Sequence, residues 1–194
     1  MAKIIILNAP PHAGKDTIGN MLIDTTNFYH IVHMSFKAPM FKIAKAMLGE
    51  QRYDMFIAAY NDRNQKEKPQ AFLNGKSPRE FMIWISEDVI KPQFGKQYFG
   101  ERFSQDAKQL GRFHPIICTD GGFPDEVIKL VEDGHKVKLC RLHRTGFTFQ
   151  GDSRDYISLP VEWHGVNDYE ECDFILIDGD PMFTVSAIYQ RFIQ

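Results

Sequence analysis

The sequence predicts one α/β domain over residues 1–194, built on a parallel sheet of about five strands with helices on both faces. Three observations carry that prediction. Short apolar runs alternate with longer amphipathic segments along the chain. Several amphipathic segments open on or beside a proline, the residue best tolerated in a first helical turn. A length of 194 residues with 43% hydrophobic, 13% aromatic and 25% charged side chains suits a single buried core and excludes disordered, collagen-like and fibrous chains.

The first strand is the run Ile4-Ile5-Ile6-Leu7-Asn8. It is too short to span a bilayer and is followed at once by turn residues, so it reads as a strand rather than a leader. The other expected strands cover 30–34, 115–119, 136–142 and 174–177. Helices are expected from near Lys15, Pro39, Ser77, Phe99, Pro124 and Pro181. The best marked begins at Ser77-Pro78-Arg79-Glu80, where Ser77 caps the Glu80 amide, Glu80 reaches back and Pro78 takes the first helical position. Phe81, Trp84, Ile85, Val89 and Ile90 then recur at helical spacing as core residues.

Two segments fit the alternation poorly and are expected as insertions. Residues 50–75 are polar, and residues 145–163 are rich in Gly, Ser, Asp and aromatics. Loops of that length inside a domain are usually functional. No apolar stretch approaches the about 20 residues a bilayer requires, so a soluble protein with no membrane partner is expected. Cys118, Cys140 and Cys172 are scattered without a CxxC pair, which excludes a disulfide framework or zinc knuckle and points to a reducing cytoplasm. The seven histidines show no zinc spacing. A net charge of -2 weighs against binding through a broad basic surface.

Residues Ala9-Pro10-Pro11-His12-Ala13-Gly14-Lys15-Asp16-Thr17 follow the first strand and open a helix, the setting of a phosphate-binding P-loop. The turn aims backbone N–H groups inward, the helix terminus adds partial positive charge, and the Lys15 ammonium reaches terminal phosphates. The pattern departs from GxxxxGK[ST] at two points. Ala9 replaces the first glycine, which negative φ tolerates, and Asp16 stands where a hydroxyl commonly holds Mg²⁺. Thr17 then bonds phosphate and Asp16 serves the metal directly or through water. Ala13, Gly14, Lys15, Asp16 and Thr17 are therefore the expected ATP-binding set.

Pro115-Ile116-Ile117-Cys118-Thr119-Asp120 is an apolar run ending in a carboxylate. Ligands of open α/β sheets collect beyond the strands' carboxyl ends, which puts Asp120 beside the loop as a metal or acceptor group. Its alternative is a cap on the next helix. Arg144 and Arg154 bracket a glycine-containing stretch after the fourth strand, a lid that would neutralise charge during phosphoryl transfer, or else a solvated hairpin. Asp152 is expected to orient Arg154 or cap a turn rather than abstract a proton. Arg79, at the capped helix, either attracts an acceptor phosphate or pairs with a neighbouring carboxylate. Phe36, in Ser35-Phe36-Lys37-Ala38-Pro39, either stacks on a base or joins the core.

Gly14-Lys15-Asp16-Thr17, Ser35-Phe36-Lys37-Ala38-Pro39, Ser77-Pro78-Arg79-Glu80, Asp120-Gly121-Gly122-Phe123-Pro124 and Gly151-Asp152-Ser153-Arg154 together resemble the phage-type deoxynucleoside monophosphate kinases. The resemblance spans most of the chain in order. It implies an adenylate-kinase-like P-loop NTPase fold with ATP as donor, Mg²⁺ as cofactor and a deoxynucleoside monophosphate as acceptor. Carried onto this sequence, Lys15 and Thr17 hold donor phosphates, Arg79 serves the acceptor, Asp120 serves metal or acceptor, and Arg144 and Arg154 form the lid. Residues 50–75 would be the acceptor-side insertion and 145–163 the lid. Related phage kinases act on hydroxymethyluracil already in DNA, so a DNA acceptor is the alternative, and an ATP-binding regulator without turnover is a third reading. A homodimer stays open.

Overall fold

The computed structural model describes residues 1–25, 30–110, 114–152 and 154–194, so Ser153 of the Gly-Asp-Ser-Arg motif lies outside the described residues. Strands β1 (Lys3–Asn8), β2 (Val32–His33), β3 (Ile116–Cys118), β4 (Lys136–His143) and β5 (Glu170–Ile175) form one sheet in the order β2-β3-β1-β4-β5. Every neighbouring pair is parallel. The helices are α1 (Lys15–Thr25), α2 (Ala38–Asn61), α3 (Pro78–Ile83), α4 (Lys91–Phe94), α5 (Tyr98–Leu110), α6 (Pro124–Glu132) and α7 (Pro181–Phe192). Two compact units result: Met1–Phe36 with Phe99–Gln194, which holds the sheet, and Lys37–Tyr98.

β1 is central because its side chains are apolar on both faces, as a parallel strand covered on both sides must be. Ile4 pairs in register with Ile116 on one side and Val137 on the other. Ile4 and Ile6 face a core with Phe103 of α5 and Val127 and Leu130 of α6. Ile5 and Leu7 face the opposite core, with Ile18 and Leu22 of α1 and Val185 and Ile188 of α7. The expected α/β sheet with helices on both faces is present.

Three expected elements differ. The second strand is reduced to Val32–His33, the two residues that pair with Ile116 and Ile117. The fifth spans Glu170–Ile175 rather than 174–177. Its Glu170, Glu171 and Asp173 hide a strand from an apolar pattern because their partners are on β4 and α7: Lys138 and Arg191 for Glu170, Arg141 for Glu171 and Asp173. The stretch 50–61 is not insertion loop but the second half of α2, which bends at Gly49, where φ is 70°. Tyr53, Phe56 and Tyr60 lie at helical spacing, and Phe56 is buried against Phe41, Tyr53, Tyr60 and Phe81. Only the remainder of 50–75 is turn and short 3₁₀ helix (Ala71–Leu73).

In the Lys37–Tyr98 unit the capping box on α3 is complete: Glu80 N–H donates to Ser77 Oγ at 3.2 Å and Ser77 N–H to Glu80 Oε2 at 2.7 Å. Beyond α3 the helix widens to π register over Trp84–Ile90, with Lys91 N–H donating to the Ser86 carbonyl. Pro92 supplies the reason. It has no N–H to return to the Asp88 carbonyl, so the α ladder cannot continue through it.

Candidate functional site

The phosphate-loop segment turns between β1 and α1 as its composition dictates. Ala9 and Ala13 are buried, leaving no room for larger side chains beneath the turn. Ala13 N–H donates to the Pro10 carbonyl at 3.3 Å, and Ile18 N–H to Gly14 O at 3.1 Å as the helix begins. His12 has φ 62° and Gly14 φ 108°. At Gly14 a side chain would be strained, so this glycine is required by the backbone itself. Lys15 is half-buried, whereas Asp16 and Thr17 are exposed on the first turn of α1.

Arg144, one residue past β4, reaches this loop. Its Nη1 donates to the Ala13 carbonyl at 3.2 Å, and a Cβ on Gly14 would lie 3.8 Å from the same nitrogen. Its Nε donates to Asp178 Oδ1 at 2.7 Å, and its guanidinium stands 4.7 Å from the centre of the Phe147 ring. A hollow of about 170 Å³ opens beside the loop, lined by Gly14, Thr17, Arg144, Leu176, Ile177 and Pro181 among others. Its lining thus combines the Arg144 side chain with the aliphatic Leu176 and Ile177.

Asp120 sits just beyond β3, as its place in the sheet requires. Its Oδ2 accepts from Ser35 Oγ at 2.6 Å, and its Oδ1 from Phe36 N–H at 3.0 Å and Cys118 Sγ at 3.1 Å. It does not cap α6, whose N-cap is Phe123. The carboxylate instead fixes the Ser35-Phe36 turn after β2. Burial and the Asp120 charge push the Cys118 thiol far up, so this cysteine is an inert core residue. The Phe36 ring is buried and stacked on Phe103 at 4.5 Å, so it joins the core, and its N–H is taken by Asp120.

Arg154 is held by Asp152 through a fork, Nε to Oδ1 at 2.8 Å and Nη2 to Oδ2 at 2.7 Å, as expected of that pair. The arginine lies against Gly122, two residues past Asp120. Gly14, Thr17 and Arg144 therefore gather around the hollow, with Lys15 next to Gly14 in the chain, and Asp120 and Arg154 lie at the end of β3. Arg79 belongs to the Lys37–Tyr98 unit, where its Nε donates to Glu67 Oε1 at 2.7 Å.

The stretch 145–163 divides in two. Its first part is turn, closed by Phe147 N–H on Arg144 O and Asp152 N–H on Phe149 O. From Asp155 onward it is anchored: Ile157 and Leu159 are buried, Ile157 N–H donates to Asn8 Oδ1, and Leu159 N–H to Glu171 Oε1. Burial pushes the Glu171 carboxyl up, but the Leu159 N–H, with Tyr169, Ser158 and Arg141, outweighs it and holds it below the ordinary range. Asn8 and Asp178 are the residues that motif reading overlooks, and Gly122, though inside the Asp120–Pro124 motif, owes its place to Arg154. Asp178 sits in Asp178-Gly179-Asp180-Pro181, which by sequence is only a turn.

Among the described residues no group of three or more His, Cys, Asp or Glu is placed to hold a metal ion alone. The residues nonetheless fit a magnesium nucleotide, because Mg²⁺ takes most of its oxygens from water and phosphate and needs only one or two carboxylates. Among the described residues no helix is long and apolar enough to cross a membrane.

The parallel sheet in the order β2-β3-β1-β4-β5, with helices on both faces and a tight turn bearing Gly14 between β1 and α1, defines an α/β fold. No protein-family model matches it, and no curated protein matches its sequence. Among solved structures it is similar to a gluconokinase from Sinorhizobium meliloti 1021, with 10% identity, 97% of this chain and 92% of that chain covered, and a TM-score of 0.39.

Proposed function

We propose that the protein is an ATP-dependent phosphotransferase and that its acceptor is a deoxynucleoside monophosphate. The observation that carries this reading is the Arg144 hydrogen bond to the Ala13 carbonyl, which joins a cation from β4 to the turn that bears Gly14 and Lys15. A loop that only closed a strand–helix connection would have no use for a second cation on its rim.

Bound ATP would supply the transferable γ-phosphoryl group, and Mg²⁺ would offset the charge of its phosphate oxygens. Gly14 lets the backbone approach those oxygens, Lys15 neutralises them, and Thr17 donates from the first turn of α1. Asp16 would hold hydrated Mg²⁺, with Asp120, whose oxygens also accept from Ser35 and Phe36, reaching it through water. Arg144 and Arg154 offset charge that develops during in-line attack. An acceptor phosphate is already anionic and needs no strong base, so positioning suffices.

Arg79 is the acceptor-side cation in this reading. Its unit, Lys37–Tyr98, holds eleven of the 23 Lys+Arg but only seven of the 25 Asp+Glu, so the net charge of -2 combines a cationic unit with an anionic remainder. That imbalance suits an anionic acceptor. It also favours the second reading, a kinase of hydroxymethyluracil in DNA, because a polyanion gains more from a cationic unit than a single phosphate does.

The deciding experiment offers Mg²⁺-ATP with each of four deoxynucleoside monophosphates and with hydroxymethyluracil DNA, at two salt concentrations. Transfer to a monophosphate with weak salt dependence supports the first reading. Transfer to DNA that falls steeply with salt supports the second. ATP binding with no transfer would leave a regulator. Lys15→Ala should abolish transfer while melting at the wild-type temperature, and near-normal turnover in that variant would sink the loop assignment.

A further inference from the structure

We infer that Asp178 is a positioning residue for the nucleotide site, acting through Arg144. The inference rests on the reading of the loop as a nucleotide site. An arginine side chain carries five N–H donors on a long flexible stem, and its value to a ligand depends on where the fork is aimed. Arg144 is aimed by three contacts from three parts of the chain: Asp178 accepts from Nε at 2.7 Å, Ala13 O accepts from Nη1 at 3.2 Å, and the Phe147 ring underlies the plane at 4.7 Å. Only the first is ionic.

The turn that presents Asp178 is built to free it for this task. Asp180 N–H closes the turn on Ile177 O at 3.1 Å, and Gly179 takes a φ of 79° that a side chain would strain. Of the two carboxylates, Asp180 is committed to the N-cap of α7, accepting from Phe183 N–H at 3.2 Å. Asp178 is committed to Arg144. It flanks Ile177 and Gly179, both of which line the hollow beside Gly14 and Thr17, so the ion pair stands at the rim of that hollow.

At 73% exposure the Asp178 side chain can contribute little to folding stability, since exposed ion pairs are worth little. Its effect is on order. With Asp178 in place the guanidinium is held across the loop before ligand arrives. Without it, that ordering is completed at the moment of binding and weakens affinity by about 3- to 10-fold.

The test measures Mg²⁺-ATP affinity by calorimetry on the full chain for wild type, Asp178→Ala, Asp178→Asn, Arg144→Ala and the Asp178→Ala/Arg144→Ala double variant, with Asp180→Ala as control. Positioning requires that Asp178→Ala weaken binding about 3- to 10-fold, that Asp178→Asn, which can still accept from Nε, retain most of the affinity, and that the double variant bind no worse than Arg144→Ala. Asp180→Ala should lower the melting temperature and leave affinity alone. If wild type binds ATP and Asp178→Ala matches or exceeds it, the positioning role is overturned while the nucleotide site stands. The role is overturned in the same way if Asp178→Ala costs as much in the Arg144→Ala background. If wild type binds no ATP, the site reading itself fails and takes this one with it.

Discussion

The side chain of Arg154 lies across Gly122, so closely that a Cβ built on the glycine would stand 2.5 Å from Arg154 Cδ and 2.9 Å from Cγ. Gly122 is thus the floor on which the arginine rests, two residues past Asp120. Asp152 grips the guanidinium from the other end. The absence of a side chain at 122 sets where that charge can be.

Gly122→Ala should therefore act as an arginine mutation at a distance. The backbone angle at 122 lies outside the left-handed region, so alanine fits the chain. What cannot stay is Arg154, and a displacement approaching an ångström at a catalytic group is expected to lower turnover by about 10- to 100-fold. Stability should change by no more than about 1 kcal/mol. Steady-state kinetics beside a melting curve test this, and normal turnover would separate Arg154 from the chemistry.

The sheet was legible in the sequence because central parallel strands are apolar on both faces, and the helices because Pro78, Pro124 and Pro181 mark their starts. The turn between β1 and α1 was legible because Gly14 answers a backbone requirement there. Edge elements were not. β5 carries Glu170, Glu171 and Asp173, whose partners lie on other elements, and no local pattern announces a strand held by distant cations. The second half of α2 is hidden by the polar run from Asn61 to Gln65, which masks the helical spacing of Tyr53, Phe56 and Tyr60. Asn8, Gly122 and Asp178 matter through residues more than 30 positions away, which spacing along the chain does not encode.

Gly19 brings α1 against β3, and a Cβ there would fall 2.5 Å from Thr119 Cγ2 and 3.5 Å from Ile117 Cγ2. Alanine at a helical position ordinarily stabilises by about 1 kcal/mol. Here overpacking should outweigh that gain, leaving Gly19→Ala less stable by about 1–3 kcal/mol. Thr119→Ser removes the offending methyl, so the double variant should recover most of the loss in a urea unfolding cycle. Additive losses would mean that the contact is not what excludes a side chain.

Acid should unfold the protein in two stages. His135 is buried, its Nδ1 accepts from Ala2 N–H at 3.2 Å, and its Nε2–H faces Ser104 Oγ at 3.0 Å, whose hydroxyl in turn donates to Asp133. Burial, and then the Lys108 charge, hold the imidazole below its ordinary value. The unfolded chain binds this proton near pH 6.5 and the folded chain does not, so stability is full above about 6.5 and falls with pH below it, at up to about 1.4 kcal/mol per unit. Burial pushes Asp133 up, but Ser104, Lys129 and Lys108 outweigh it and hold its carboxyl at about 2. The second loss therefore runs from the unfolded carboxylate range, about pH 4, down to 2. Urea midpoints from pH 8 to 3 should show both, and His135→Gln should flatten the first alone. An unchanged slope between pH 7 and 5 in that variant would assign it to other groups.

Asn8 ends β1 one residue before Ala9, and it is almost wholly buried. Its Oδ1 accepts from Ile157 N–H at 2.9 Å and its Nδ2 donates to the Asp155 carbonyl at 3.3 Å. The central strand thereby fixes the backbone immediately after Arg154. Asn8→Leu fills the space but leaves a buried N–H and a carbonyl unpaired, for a loss of about 1–3 kcal/mol. Asn8→Asp keeps the acceptor for Ile157 but sets a carboxylate oxygen against the Asp155 carbonyl with no hydrogen between them. Asn8→Leu should speed amide exchange at Ile157 more than Asn8→Asp does, while Leu159, held separately by Glu171 at 2.7 Å, stays protected in both variants. Both should lower turnover through Arg154, whose anchor in Asp152 survives but whose following residue no longer has its tie to β1. Unchanged exchange at Ile157 would show that burial of Ile157 and Leu159 holds this stretch without Asn8.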